Sequence, residues 1–162
     1  MKKDSRVKAV ISLDAVEHNF REMRKNIAEE TKMIAVIKAD AYGHGAVPIA
    51  HLIEDYDYIW GFAAATAEEA IHLREAGITK PILILGYTFP YCYEELIREE
   101  IRPAVYRRDT VEELAAAAAK VGKKAKVHIK VDTGMGRIGI TPDEEGLEFV
   151  RFLIEHPELE VE

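Results

Sequence analysis

The sequence predicts an α/β protein whose parallel strands are joined by crossover helices. Three observations carry this. Short apolar runs rich in β-branched residues alternate with amphipathic stretches about five times along the chain. Several amphipathic stretches open on a repeated helix-start code, a capping residue followed three positions later by a glutamate. No strong hairpin turn separates successive apolar runs, so neighbouring strands need a crossover. This alternation builds either a doubly wound sheet or an arc of a (β/α) barrel, and periodicity leaves both open.

Taken in order, Val7 to Leu13 alternates as a strand would, and its partner is expected elsewhere. Asp14 and Glu17 bracket the first helix start. Met33 to Ile37 is a continuous apolar run, the pattern of a strand buried on both faces. Tyr58 to Ala63, Ile82 to Leu85, Pro103 to Tyr106 and Val127 to Val131 are the further strands. Helices are expected near Val47 to Asp55 and Tyr93 to Glu100, and after the start pairs Thr66/Glu69, Asp109/Glu112 and Thr141/Glu144. Pro142 is expected at the first position of the last helix. Gly77 and Gly122 follow helical patterns and suit the left-handed C-terminal cap. The run Ala115 to Ala119 sits inside a helix pattern, where alanine costs least. Leu159 to Val161 reads as the opening of another strand, which suggests a truncated chain.

Composition narrows the function classes. The chain has 162 residues, 48% hydrophobic and 31% charged, enough for a packed core. Its net charge of −7 disfavours sequence-independent nucleic-acid binding. No run of about 18 apolar residues is present, so no membrane span is expected. The charged N-terminus is followed by no apolar signal region, and a cytoplasmic location is the expectation. The single Cys92 excludes an internal disulfide, and the histidines lack metal-ligand spacing, so no metal site is expected.

Three segments can carry chemistry. Lys38-Ala-Asp-Ala-Tyr-Gly-His-Gly45 directly follows the run Met33 to Ile37. Lys38 then emerges at the carboxyl end of a parallel strand, where α/β folds place their sites. Desolvation there favours the neutral amine that Schiff-base chemistry needs. Tyr42 offers a phenol to a phosphate or a carboxylate. The bland alternative is a strand-end lysine snorkelling into water beside turn-forming glycines. The second segment is Asp132-Thr-Gly-Met-Gly-Arg-Ile-Gly139. Its glycines match the dinucleotide-binding spacing, but the next helix start lies beyond the last glycine, so no helix N-terminus meets a pyrophosphate. It reads instead as a loop presenting Arg137 to an anion, against the alternative of a surface arginine. The third feature is Lys130, within His128 to Val131. Facing inward it needs a partner, with Asp132 one candidate; on an edge strand it would face water.

Together these motifs resemble a known family. Val36 to Gly45 resembles the pyridoxal-phosphate lysine motif of alanine racemases, and His128 to Gly139 resembles that family's second signature. The similarity extends over Ile11 to Asn19 and Glu68 to Gly77, across nearly the whole chain. It implies roughly the first five strands of an eight-stranded (β/α) barrel over 14–162, preceded by a segment, 1–13, belonging with an absent C-terminal domain. It implies pyridoxal phosphate as cofactor, with Lys38 as Schiff-base lysine and catalytic base on one face of the substrate. Tyr42 would contact the cofactor phosphate. Arg137 would reach the cofactor's phenolic oxygen and the substrate carboxylate. Lys130 matches a lysine that is often carbamylated and orients that arginine, and the Met135 backbone amide would line the substrate region. Asp40 departs from an asparagine common in the family.

The implied reaction interconverts L- and D-alanine for cell-wall synthesis, in a homodimer whose partner supplies a tyrosine to the other face. The 162-residue chain alone is expected to be inactive and prone to associate. A racemase for serine or a broader substrate set, a non-catalytic pyridoxal-phosphate barrel and an inactive interaction fragment are the rival readings.

Overall fold

The computed structural model describes residues 6–162. The elements run α1 (Leu13–Arg24), β1 (Met33–Val36), α2 (Lys38–Gly43), α3 (Ala46–Ile53), β2 (Ile59–Ala64), α4 (Ala67–Glu75) and β3 (Ile82–Ile84). They continue through α5 (Tyr93–Arg98), β4 (Ile101–Val105), α6 (Arg108–Val121), β5 (Ala125–Ile129), α7 (Glu144–Ile154) and β6 (Leu159–Val161). The six strands form one parallel sheet in the order β1-β2-β3-β4-β5-β6. Each strand therefore pairs with the next in sequence, the barrel order rather than the doubly wound one.

The sheet curls. In a flat sheet, β2 and β5 stand three steps apart, about 14 Å at the usual strand spacing. Yet the Trp60 ring on β2 lies 5.5 Å from the His128 ring on β5. Only a concave face brings them together. The register slips between Met33 and Ile34 where Trp60 has no partner, an irregularity of the bulge type. Arg102 on β4 then reaches across to Glu162 beyond β6, with Nε donating to Oε2 at 2.8 Å and Nη2 to Oε1 at 3.1 Å. Trp60 lies 5.8 Å from the Arg102 guanidinium. Only 5% of Arg102 is exposed, and a buried arginine needs this pairing.

The convex face packs on the helices. Ala35, Phe62, Ile82, Ile84, Val105 and Val127 are buried there, against Ile53, Leu73, Leu96, Leu114 and Leu153 among others. Burying each large aliphatic side chain contributes about 1.5–3 kcal/mol. On the concave face Ile34 is 39% exposed and Val36 47%. The expectation that the first strand is buried on both faces is therefore corrected. An apolar run cannot distinguish a covered face from one that lines an open arc.

Helix starts shift in three places. α1 begins at Leu13, with the Ser12 hydroxyl accepting from Ala15 N–H at 3.2 Å. Asp14 falls in the first turn, where the helix dipole favours an anion. α6 begins at Arg108, because Asp109 pairs with Arg107 rather than capping from outside. α7 begins at Glu144 and Asp143 is its cap, accepting from Gly146 N–H at 3.0 Å. The Thr141 hydroxyl donates to Asp143, so Thr141 and Pro142 lie before the helix. Thr66 caps α4, and Gly122 closes α6 at φ 74°, both as expected. Residues 8–12 join no strand among the described residues, and Leu13 already belongs to α1. The strand expected over Val7 to Leu13 does not form within this part of the chain.

Candidate active site

All six strands point the same way, so the loops after β1 and β5 emerge at one end of the sheet. That end carries both glycine-rich segments. Lys38 stands two residues beyond β1, half-buried, with its Nζ 5.9 Å from the Tyr42 ring. The segment between them is not the loose turn its glycines suggest. Ala39, Asp40, Ala41 and Tyr42 all lie in the left-handed region, with φ between 50° and 55°. Four consecutive non-glycine residues there cost about 4–8 kcal/mol at roughly 1–2 kcal/mol each. The surroundings must hold such a turn in place. Ala41 N–H donates to Ile37 O at 2.8 Å and Gly45 N–H to Asp40 O at 2.9 Å. Asp40 Oδ1 accepts from Ala46 N–H at 2.7 Å, capping the start of α3. An asparagine side-chain oxygen could accept the same bond, so the aspartate at this position changes nothing in the turn.

After β5, Val131 and Ile140 form an isolated parallel bridge. Asp132 N–H donates to Ile140 O at 2.8 Å, and Ile140 N–H to Lys130 O at 2.9 Å. Between them the loop folds over the Asp132 carboxylate. Oδ1 accepts from Gly134 N–H at 2.9 Å and Gly136 N–H at 3.1 Å, and Oδ2 from Arg137 N–H at 3.2 Å. These amides hold the Asp132 carboxyl below the usual aspartate range. Asp132 is thus the organiser of the Arg137 loop and makes no ion pair with Lys130, which corrects that candidate pairing. Gly139 sits at φ 132°, and a Cβ there would meet Asp132 N at 2.6 Å. Only glycine lets the loop's two ends approach this closely.

Lys130 follows the alternation of Lys126 and His128, half-buried like them. Met135 is 77% exposed. Lys38 and Tyr42 are thus brought together on one side of the arc. Lys130, Met135 and Arg137 are gathered on the other, four strands away in sheet order. Among the described residues, no hydrogen bond or ion pair engages Lys38 Nζ, the Tyr42 hydroxyl, Lys130 Nζ or the Arg137 guanidinium. Arg74, Arg102 and Arg107, by contrast, are each bound to protein oxygens. Two amines, a phenol and a guanidinium left uncommitted at one end of the sheet form a donor set for an anionic molecule.

Sequence reasoning missed three things here. The left-handed turn has no signature beyond the glycines that follow it. The Asp132 carboxylate was considered only as one candidate partner for Lys130, not as the organiser of its own loop. Burial pushes the His128 pKa down, and its Nε2 is buried without a hydrogen bond, yet the polar cluster of Trp60, Arg102, His128 and Glu162 was not anticipated. Only the long-range fold assembles it.

A curved parallel sheet whose six strands pair in sequence order, with a strand-end lysine and an arginine loop at its carboxyl end, is an arc of a (β/α) barrel. The family model for the alanine racemase N-terminal domain matches residues 11–162. The chain is 49% identical over 153 residues to an alanine racemase of Clostridium perfringens, covering 94% of this chain and 39% of that one. It is 44% identical over 154 residues to alanine racemase 1 of Oceanobacillus iheyensis, covering 94% and 40%. The solved alanine racemase of Clostridium difficile 630 in complex with cycloserine superposes with a TM-score of 0.90 at 40% identity, covering 94% and 42%. A histidine racemase from Leuconostoc mesenteroides superposes at 0.82 with 31% identity, covering 92% and 40%. The chain therefore belongs to the alanine racemase N-terminal domain family. It spans about two-fifths of the length of these relatives. No helix among the described residues is long and apolar enough to cross a membrane.

Proposed function

We propose that this chain is the cofactor-binding barrel portion of a pyridoxal-phosphate-dependent alanine racemase, interconverting L- and D-alanine. The observation that carries the reading is Lys38, its amine unpaired, fixed at the end of β1 by a strained turn. The donor set suits the cofactor: Tyr42 offers a hydroxyl to its phosphate and Arg137 donors to its phenolic oxygen. When bound, pyridoxal phosphate supplies the electron sink that makes an amino acid's α-proton removable. Lys38 anchors the cofactor and then takes or returns the proton at Cα on one face. Arg137 and the Met135 backbone amide hold the substrate carboxylate. Lys130, if carbamylated, would carry a negative charge able to pair with Arg137 and orient it. The opposite face needs a second proton donor, in this reading a tyrosine from the partner in a homodimer. In this reading the segment 1–13 belongs with a further domain; Val10, in its described part, is 78% exposed.

The test is to add pyridoxal phosphate, reduce with borohydride and map the modified peptide. Label on Lys38, lost in Lys38→Ala, supports the reading; labelling spread over surface lysines, equal in the variant, overturns it. A second reading, a racemase for a different amino acid, is favoured by the similarity to a histidine racemase. Turnover of alanine, serine and histidine by the protein containing this barrel separates the two.

A further inference from the structure

The Thr66/Glu69 pair departs from the usual capping box. In that motif the glutamate carboxylate returns to the cap residue's own N–H. Here Thr66 Oγ1 accepts from Glu69 N–H at 3.3 Å, but the Glu69 carboxylate goes elsewhere. Its Oε2 accepts from Ala65 N–H at 2.8 Å, just past the end of β2. Its Oε1 accepts from Ala39 N–H at 2.9 Å, thirty residues away in sequence and adjacent to Lys38. One half-buried carboxylate thus ties together the loops after two neighbouring strands.

The position of that second bond matters. The sheet ladder ends at Ile37, whose N–H donates to Ala63 O at 2.9 Å. Ala39 is the first residue to turn left-handed, and its amide has left the ladder. The turn's own bonds, from Ala41 to Ile37 and from Gly45 and Ala46 to Asp40, all close within a few residues. They preserve the turn's shape but do not fix its orientation on the sheet. Glu69 supplies a charged, cross-element anchor at the residue that sets where the Lys38 side chain leaves the backbone.

We propose that Glu69 is a positioning residue for Lys38, holding the left-handed turn in the orientation that aims the amine at the carboxyl end of the sheet. The proposal rests on the reading of Lys38 as the cofactor lysine. Without Glu69 the Ala39 amide turns to water, and Ala39 is free to leave the disfavoured region. Thr66 remains the cap of α4, so the helix persists.

The test uses the 162-residue chain with Glu69→Ala and Glu69→Gln, and pyridoxal phosphate as the probe. Amide hydrogen exchange at Ala39, Ala65 and Leu73 is measured alongside the rate of borohydride trapping on Lys38. For Glu69→Ala, exchange at Ala39 should quicken at least about tenfold, equivalent to about 1.4 kcal/mol. Trapping on Lys38 should slow by a similar factor, while Leu73 exchange is unchanged. Glu69→Gln keeps one acceptor oxygen and should fall between, a partial rescue that general destabilisation does not give. Unchanged Ala39 protection with trapping at the unmutated rate overturns the proposal. Should Glu69→Ala fail to fold, the same comparison on Glu69→Gln decides. Should the unmutated chain form no Lys38 adduct, the cofactor reading fails by itself, and Ala39 exchange alone decides whether Glu69 holds the turn.

Discussion

Replacing Ala39 by glycine should stabilise the protein, although the same replacement at an ordinary helical alanine destabilises it. Ala39 lies at φ 50° and ψ 48° and its side chain is exposed. Removing its Cβ relieves about 1–2 kcal/mol of left-handed strain. The freer unfolded chain gives back about 0.5–1 kcal/mol. Little apolar contact is lost, and glycine retains the N–H that donates to Glu69. The net is a gain of about 0–1.5 kcal/mol. The control is Ala116→Gly, at an exposed position inside α6 (Arg108–Val121). There the same chemical change costs about 1 kcal/mol. The two variants should therefore differ by about 1–2.5 kcal/mol, with Ala39→Gly the more stable. For a chain of this size, each 1 kcal/mol moves Tm by about 2–4 °C. Urea denaturation with an unchanged m-value reads the difference directly. If Ala39→Gly costs as much as Ala116→Gly, the strain assigned to this turn is wrong.

Two further outcomes follow from the Arg137 loop. Gly139→Ala forces a Cβ to within 2.6 Å of Asp132 N, so the bridge between Val131 and Ile140 must open. A cost of about 2–4 kcal/mol is expected from strain and two lost backbone bonds, measured by denaturation together with faster exchange at Asp132 and Ile140. The Asp132 carboxyl has a lowered folded-state pKa, so the loop's stabilisation is complete above the unfolded aspartate value of about 4. It is lost as pH falls through the lower folded value. Exchange at Gly134, Gly136 and Arg137, corrected for the intrinsic pH dependence, should therefore quicken in acid. Asp132→Ala should show that quickening already at neutral pH, and unchanged protection there refutes the role given to Asp132.

The strands were legible because apolar runs of four or five residues can do little else in a chain this rich in helix-start signals. Each of the five runs overlaps an observed strand, with ends that differ by up to two residues. Helix starts were less legible where two capping candidates compete. Ser12 against Asp14, and Thr141 against Asp143, are decided by which oxygen meets a free amide, and sequence spacing does not settle that. Lys38, Tyr42 and Arg137 could be singled out as candidates because their motifs follow strand ends. The carboxylates that hold their loops were read by local rules instead. Asp132 was weighed as one candidate partner for Lys130 and Glu69 was assigned to its own helix, yet Asp132 binds the amides of its own loop and Glu69 reaches a strand end thirty residues away. The Trp60–Arg102–Glu162 cluster was invisible because it exists only once the sheet has curled.

The order of the strands also bears on how the chain acquires its shape. Every strand pairs with the next one to be synthesised, so each β/α unit can dock on an edge already made. Assembly can thus proceed vectorially as the polypeptide leaves the ribosome, without long-range strand exchange. Contacts across the concave face are different, such as the grip of Arg102 on Glu162, which spans sixty residues. That contact cannot form until β6 is in place, which makes it a late latch on the curvature of an arc whose individual pairings are already set.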